Sequence, residues 1–309
     1  MRLSNTPVLL LHFFLISFLT LFLKPNVNAQ CIPLPNGFAH NDYWHKRPLF
    51  DALDNGFTYI EADIYERDGR LIVAHLFPAL NYSRTLENLY LKPLLDHVRK
   101  NNGKVYAGYN HPVTLMIDIK SDAERTYIVL KPLLQKYSEI LSSYSNGKVR
   151  PGLVTIVLSG HKPERMISSE NNRLAFIDED LRLVDHDTLS YTNIYTMASC
   201  KYSKLLNWRG PGMLPDMEKQ RLCAFIKIAH KLGRKVRLWA SPEDTHVWRT
   251  LLDCGVDLIN TDKLEELKIF LTKDKPILAS SAISQYDPSL AGKEIKDLST
   301  VYLPKQNLK

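Results

Sequence analysis

Four ionisable side chains stand where the sequence otherwise reads as the interior of a sheet. In Thr58-Tyr59-Ile60-Glu61-Ala62-Asp63-Ile64 a period of two puts Glu61 and Asp63 on one face and Ile60, Ala62 and Ile64 on the other. The stretch Val113–Lys120 repeats the pattern: Leu115, Ile117 and Ile119 face outwards, Asp118 and Lys120 inwards. Unpaired charge in such a place costs several kcal/mol per group. An ion pair between Lys120 and one carboxylate satisfies two of the four and leaves two acids over. A divalent cation satisfies the acids together. Glu61, Asp63 and Asp118 supply hard oxygen ligands suited to Mg2+ or Ca2+, and Lys120 is then free to meet an anionic substrate oxygen. A carboxylate-only set leaves coordination positions for water or a phosphate oxygen, which is what a metal needs to polarise a phosphoryl group and align its attacker.

Two histidines end neighbouring extended pieces: His40 closes Gly37-Phe38-Ala39-His40 and His75 closes Leu71-Ile72-Val73-Ala74-His75. Imidazole gives and takes a proton near neutral pH, so one of the pair can activate a hydroxyl while the other protonates a leaving oxygen. Taken singly each also reads as a structural histidine, and the acidic cluster is what favours chemistry. His111, His161, His186 and His230 have no such company.

These residues need a frame. Short apolar pieces at Gly37–His40, Thr58–Ile64, Val113–Lys120, Val154–Ser159, Leu174–Ile177, Asn193–Ala198, Lys235–Trp239 and Val256–Asn260 read as strands. Leu71–His75 is a further strand, joined to the second by a turn at Asp68-Gly69. Helical spacing recurs at Leu86–Val98, Glu124–Leu141, Lys219–Leu232 and Thr245–Leu252, with Pro93 near the start of the first and Pro132 interrupting the second. Eight strands alternating with helices predict an α/β protein, a TIM-type (β/α)8 barrel, with catalysis at the C-terminal ends of its strands. A doubly wound sheet has the same rhythm, but no glycine-rich phosphate loop follows the first strand.

The N-terminus lies outside this frame. Arg2, the apolar run Val8–Leu23 and small residues at Val27 and Ala29 predict a secretory signal peptide over residues 1–29, with a retained anchor as the competing reading. Residues 30–309 then form one barrel domain, exported or periplasmic, with no later segment apolar enough to span a membrane. Of the chain's formal charge of +7, Arg2 and Lys24 leave with the signal segment, so the mature charge is mildly basic. That excess is spread out, without an arginine-rich run or finger spacing, and excludes a nucleic-acid partner. Cys31, Cys200, Cys223 and Cys254 lack zinc-knuckle spacing. Outside the cell they read as disulfide partners in one of three pairings, with free buried thiols as the alternative. Asn81-Tyr82-Ser83 is a glycosylation acceptor in a eukaryotic host.

His40-Asn41-Asp42-Tyr43, Glu61-x-Asp63, Asp68-Gly69 followed by His75, and Asp118-x-Lys120 together resemble the glycerophosphodiester phosphodiesterase and phosphatidylinositol phospholipase C-like superfamily. Within it the chain is most similar to the altered inheritance of mitochondria protein 6 group, through His40–Trp44, Arg47-Pro48-Leu49, Asp51-Ala52-Leu53 and Gly56. The resemblance runs from about Gly37 to Asp262 and is densest in the first third. It implies His40 and His75 as the acid and base, Glu61, Asp63 and Asp118 as metal ligands, and Lys120 as a phosphate contact. Asn41 stands where glycerophosphodiesterases usually carry arginine, an implied uncharged phosphate contact, and Asp118 replaces a usual glutamate. Trp239 resembles the family's tryptophan on the penultimate strand, either rim packing or a wall for the substrate's alcohol. Thr261-Asp262 resembles the family's closing strand and is expected to cap the next helix. Asp178, Ser199 and Glu243 are further candidates for the pocket lining.

The implied function is metal-dependent hydrolysis of a glycerophosphodiester, a phospholipid or a related diester, by water or through a cyclic phosphate. Two other classes compete. A non-catalytic barrel binding a phosphorylated or glycan ligand has no need of two proton-transfer groups. A glycoside hydrolase needs two opposed carboxylates, whereas Glu61 and Asp63 share one strand face.

Overall fold

The structure, a computed structural model, describes residues 31–76, 81–186 and 193–273. All of these fall in one compact unit, Met1–Lys273. The expected signal peptide and residues 274–309 lie outside the described residues.

Eight strands run parallel in chain order around a ring: β1 (Leu34–Ala39), β2 (Phe57–Arg67), β4 (Val113–Ile119), β7 (Val154–Gly160), β9 (Ala175–Asp180), β10 (Tyr195–Lys201), β11 (Lys235–Trp239) and β12 (Ile259–Thr261). β12 pairs with β1, and a parallel bridge between Arg237 and Leu258 joins β11 to the last strand segment. The chain is therefore a TIM-type (β/α)8 barrel. Around it stand α1 (Phe50–Asp54), α2 (Lys92–Lys100), α3 (Ala123–Lys136), α4 (Glu164–Ser168), α5 (Asp216–Lys231), α6 (Thr245–Asp253) and α7 (Leu264–Lys273). β3 (Arg70–Val73) folds back on β2 across the Asp68-Gly69 turn, where both residues have positive φ as a tight hairpin requires. A small antiparallel sheet of β5 (Ser143–Ser145), β6 (Lys148–Arg150) and β8 (Asn172–Arg173) hangs outside the barrel.

Alternation along the strands divides the molecule into shells. Ile60, Ala62, Ile64, Leu115, Ile117 and Ile119 are buried against the helices. The barrel interior holds a separate apolar cluster of Phe38, Met116, Val157, Phe176, Met197 and Leu258. Two residues further along each of these strands stand His40, Asp118, Ser159, Asp178, Ser199 and Asn260. A period of two thus lays a polar layer directly on an apolar floor.

Two expectations change. Pro132 does not interrupt α3, which runs through it. The carbonyl that loses its hydrogen bond belongs to Ile128, which is 62% exposed and can turn to water. The expected disulfides are not formed: Cys31, Cys200, Cys223 and Cys254 are all free. Cys31 donates its thiol to the Leu53 and Asp54 carbonyls, and Cys200 is buried in β10. Only Cys223 and Cys254 share a surface groove.

Candidate active site

At the C-terminal ends of the barrel strands lies an open cleft of about 410 Å3. Glu61, Asp63, Asp118, Lys120, His40, His75, Asn41 and Trp239 all line it, so the eight residues singled out in the sequence meet at one place. The register explains the cluster. β2 and β4 pair with Asp63 opposite Asp118 and Glu61 opposite Met116, which sets three acids on adjoining strands facing inward.

Carboxylate oxygens of Glu61, Asp63 and Asp118 lie within 4.8 Å of one another. Lys120 Nζ sits 3.1 Å from Asp63 Oδ2 and 3.3 Å from Asp118 Oδ1. Burial raises the Asp118 pKa, opposed by Lys120 and reinforced by Glu61 and Asp63. Burial works against the charge of Lys120, but Asp118 and Asp63 outweigh it and hold the ammonium above its ordinary value. A divalent cation fits this set on two grounds. Asp63 Oδ1 is buried without a hydrogen-bond partner, and Asp118 Oδ1 is buried with the Lys120 ammonium at 3.3 Å as its partner, an arrangement that is costly for an ionised carboxylate pair. Among the described residues, the three clustered carboxylates pair with two permanently charged groups, Lys120 and Arg237, and with His75 beside Asp63. Gly160 makes room for the group: at φ +69°, any Cβ there would come 2.2 Å from Asp118 Oδ1.

The sequence reading did not include Arg237, and it left two acids without a protein partner. The structure corrects this. Arg237 Nη1 donates to Glu61 Oε2 at 3.0 Å, deep in the barrel, with its guanidinium 4.0 Å from the centre of the Phe38 ring. The signal was present in Lys235-Val236-Arg237-Leu238-Trp239, where the period of two places Arg237 on the same face as Trp239.

Both histidines are tied at Nδ1. His40 Nδ1 lies 2.7 Å from Asp262 Oδ1, and Asn41 Nδ2 donates to the same oxygen at 3.3 Å. Asn41 thus helps hold the His40–Asp262 pair. Asp262 does more than start a helix, contrary to the capping expectation, because barrel closure brings the end of β12 beside the end of β1. Glu243 fixes this corner by accepting from Thr261 Oγ1 at 2.7 Å and from the Asp262 amide at 2.6 Å. For His40, burial is the largest single effect and lowers its pKa. The Asp262 hydrogen bond and the charges of Glu61 and Asp262 overcome it, and the net is a raised value.

His75 Nδ1 lies 2.9 Å from Asp63 Oδ2 and 3.0 Å from Tyr43 Oη. Tyr43 also reaches Asn41 Oδ1 at 2.7 Å and Asp63 Oδ2 at 2.8 Å, and burial followed by the charge of Asp63 keeps the phenol protonated. With Nδ1 held in each imidazole and both rings lining the cleft, Nε2 is the nitrogen that remains for proton transfer. Trp44 packs its edge on His75 at 5.1 Å between ring centres. Trp239 is 38% exposed at the rim, and Asp178 and Ser199 line the far wall, bonded to each other at 2.8 Å. Glu61, Asp63 and Asp118 have carboxylate oxygens within 4.8 Å of one another, the spacing of a metal site rather than of carboxylates opposed across a sugar.

Residues 26–178 match the AIM6-like phosphodiesterase domain. Altered inheritance of mitochondria protein 6 from Eremothecium gossypii is 30% identical over 75% of this chain and 68% of its own length. The protein of that name from Lachancea thermotolerans is 29% identical over 79% of this chain, which spans 66% of that relative. The Arthroderma benhamiae homologue is 29% identical over 79% of this chain and 85% of its own. Among solved structures, a glycerophosphodiester phosphodiesterase from Parabacteroides distasonis aligns with a TM-score of 0.48 at 17% identity, covering 77% of this chain and 97% of that one. The chain belongs to the altered inheritance of mitochondria protein 6 family.

Proposed function

We propose that this protein is a metal-dependent phosphodiesterase that works by paired histidine acid–base catalysis. The observation that carries the reading is the convergence of two Nδ1-anchored imidazoles on a clustered acidic triad that includes a buried, unpartnered oxygen of Asp63. Glu61, Asp63 and Asp118 would hold a divalent cation, Mg2+ or Ca2+, whose chemistry there is to polarise a non-bridging phosphoryl oxygen. Lys120 meets a second phosphoryl oxygen and offsets charge that builds up during attack. One imidazole takes the proton from water or from a hydroxyl of the substrate itself, and the other returns one to the leaving oxygen at Nε2. Asp262 and Asn41 orient His40, while Asp63 and Tyr43 orient His75. The substrate is a small or lipid phosphodiester, and the leader-like segment Val8–Leu23 supports action outside the cytoplasm.

The test is hydrolysis of bis(p-nitrophenyl) phosphate by metal-stripped protein titrated with Mg2+, Ca2+ or Mn2+, beside His40→Ala and His75→Ala. Metal-restored turnover that either substitution abolishes is the expected result. Folded, metal-binding protein that turns over neither this probe nor glycerol, choline or inositol diesters overturns the reading in favour of a binding barrel. A cyclic phosphate detected by phosphorus NMR would distinguish attack by a substrate hydroxyl from attack by water.

A further inference from the structure

Away from the triad, the cleft extends over the ends of β9, β10 and β11, and most charges in its wall are matched there. Glu179 is paired with Arg234 and Asp180 with Arg182. Burial pushes Asp178 up to about 6, where it is still mostly ionised at neutral pH, and Ser199 Oγ donates to it at 2.8 Å. Lys162 donates to the Asp178 carbonyl at 2.7 Å and has Glu164 at 3.5 Å.

Lys201 and Lys204 are different. They flank the short turn Tyr202–Lys204 that follows β10, both line the cleft and both are exposed. Neither has a carboxylate within ion-pair distance among the described residues. Lys201 Nζ lies 5.7 Å from the centre of the Trp239 ring. Two ammonium groups held at one rim without a counter-charge make a local positive field inside a cleft, and such a field selects anions. The cleft therefore has two ends. One carries the histidines, the triad and Lys120; the other carries Trp239, Lys201 and Lys204.

We propose that this second end is an anion subsite, so that the preferred diester carries a further anionic group, a phosphate monoester or a carboxylate, on its alcohol part. The alcohol part lies against Trp239, and its terminal anion meets Lys201 and Lys204. This proposal rests on the phosphodiesterase reading above and adds a substrate class to it.

Three p-nitrophenyl phosphodiesters of equal chain length, ending in hydroxyl, carboxylate or phosphate, test it on the full chain with metal supplied. The expected kcat/KM for at least one anion-ended diester exceeds that for the hydroxyl-ended one by about tenfold or more, as a pair of charged hydrogen bonds gives. That ratio falls as salt is raised. In Lys201→Ala/Lys204→Ala it drops towards one, and in Lys201→Glu/Lys204→Glu it inverts. The better of the two anion-ended compounds identifies the terminal group. Equal kcat/KM for all three in the parent protein, or a ratio retained in the double alanine variant, overturns the subsite.

If no diester is cleaved, the phosphodiesterase reading falls, and calorimetric titration of the same intact compounds decides the subsite by itself. Salt-sensitive binding of the anion-ended diesters that the double variant loses supports it. Equal binding of all three, or none, overturns it.

Discussion

Arg237 offers the most exacting test of how the acidic cluster is built. The Glu61–Arg237 pair is 3.0 Å long, and both side chains are about 5% exposed or less. At an effective dielectric of about 20, Coulomb attraction at that separation is on the order of 5 kcal/mol. Burial of both charges cancels most of this, so the pair adds little net stability. Losing one partner is another matter, because Glu61 then stays in the barrel without its cation. Arg237→Met keeps volume against Phe38 and Met116 while deleting the charge. In metal-stripped protein it should cost about 3–5 kcal/mol, and at roughly 2–4 °C per kcal/mol for a domain of this size the midpoint falls by about 10 °C. Glu61→Gln made in the Arg237→Met background should recover about 2 kcal/mol or more, since a buried amide is far cheaper than a buried unpaired carboxylate. The assay is urea denaturation of the three proteins in chelator. An Arg237→Met protein within about 0.5 kcal/mol of the parent would refute the reasoning, and so would a Gln substitution that adds to the loss. A divalent cation should stabilise Arg237→Met more than the parent, because it would then supply a counter-charge that Glu61 lacks.

Removal of the metal and the clamps around it should have separable effects. Saturating the parent with Mg2+ or Ca2+ at about 100 times Kd should add about 2.7 kcal/mol; Asp63→Asn or Asp118→Asn should abolish that gain in a thermal-shift titration. Gly160→Ala should also abolish it and lower stability, because its Cβ would strike Asp118 Oδ1 at 2.2 Å and the Ile119 carbonyl at 2.5 Å from a positive-φ backbone. Asp262→Asn removes the negative charge that helps raise His40, so the limb of the pH–rate profile that follows His40 should move to lower pH whether His40 acts as acid or base. A raised histidine stabilises the fold below its unfolded pKa, and that contribution fades as pH rises through the folded one. The loss of stability in Asp262→Asn should accordingly be larger near about pH 5.5 than near about pH 9, which denaturation at the two values measures.

The ring of strands and six of the eight proposed site residues were legible because each leaves a local mark, whereas Asn41 and Trp239 were implied only by the family resemblance. Glu61, Asp63, Asp118 and Lys120 break an apolar alternation within a few residues, and His40 and His75 end runs of small and branched side chains. Arg237 left the same kind of mark, but a single basic residue in Lys235–Trp239 has no meaning until its partner is known, and that partner lies 176 positions away. Asp262 is harder still, since a threonine-aspartate before a helix has an ordinary local explanation as a cap. Tyr43 hides for a related reason: its hydroxyl joins Asn41, Asp63 and His75 only after three segments have come together. What sequence conceals here is pairing, because a partner is set by register and closure, neither of which is local.

Closure has a chemical consequence. Residues up to Asp178 already contain both histidines, all three proposed ligands, Lys120 and Asn41, the same stretch that matches the AIM6-like domain. They do not contain the groups that hold two of those residues in place. Arg237 reaches Glu61 from β11, and Asp262 reaches His40 from the end of β12. An isolated half would expose the interior edge of β9 and leave Glu61 without its guanidinium and His40 free to rotate. Proton transfer depends on an imidazole fixed in one tautomer and one direction, so under the proposed mechanism the last three strands would serve catalysis as well as wall the cleft. The site is assembled only when β12 pairs with β1, which makes barrel closure the step that converts a set of suitable residues into a centre able to act.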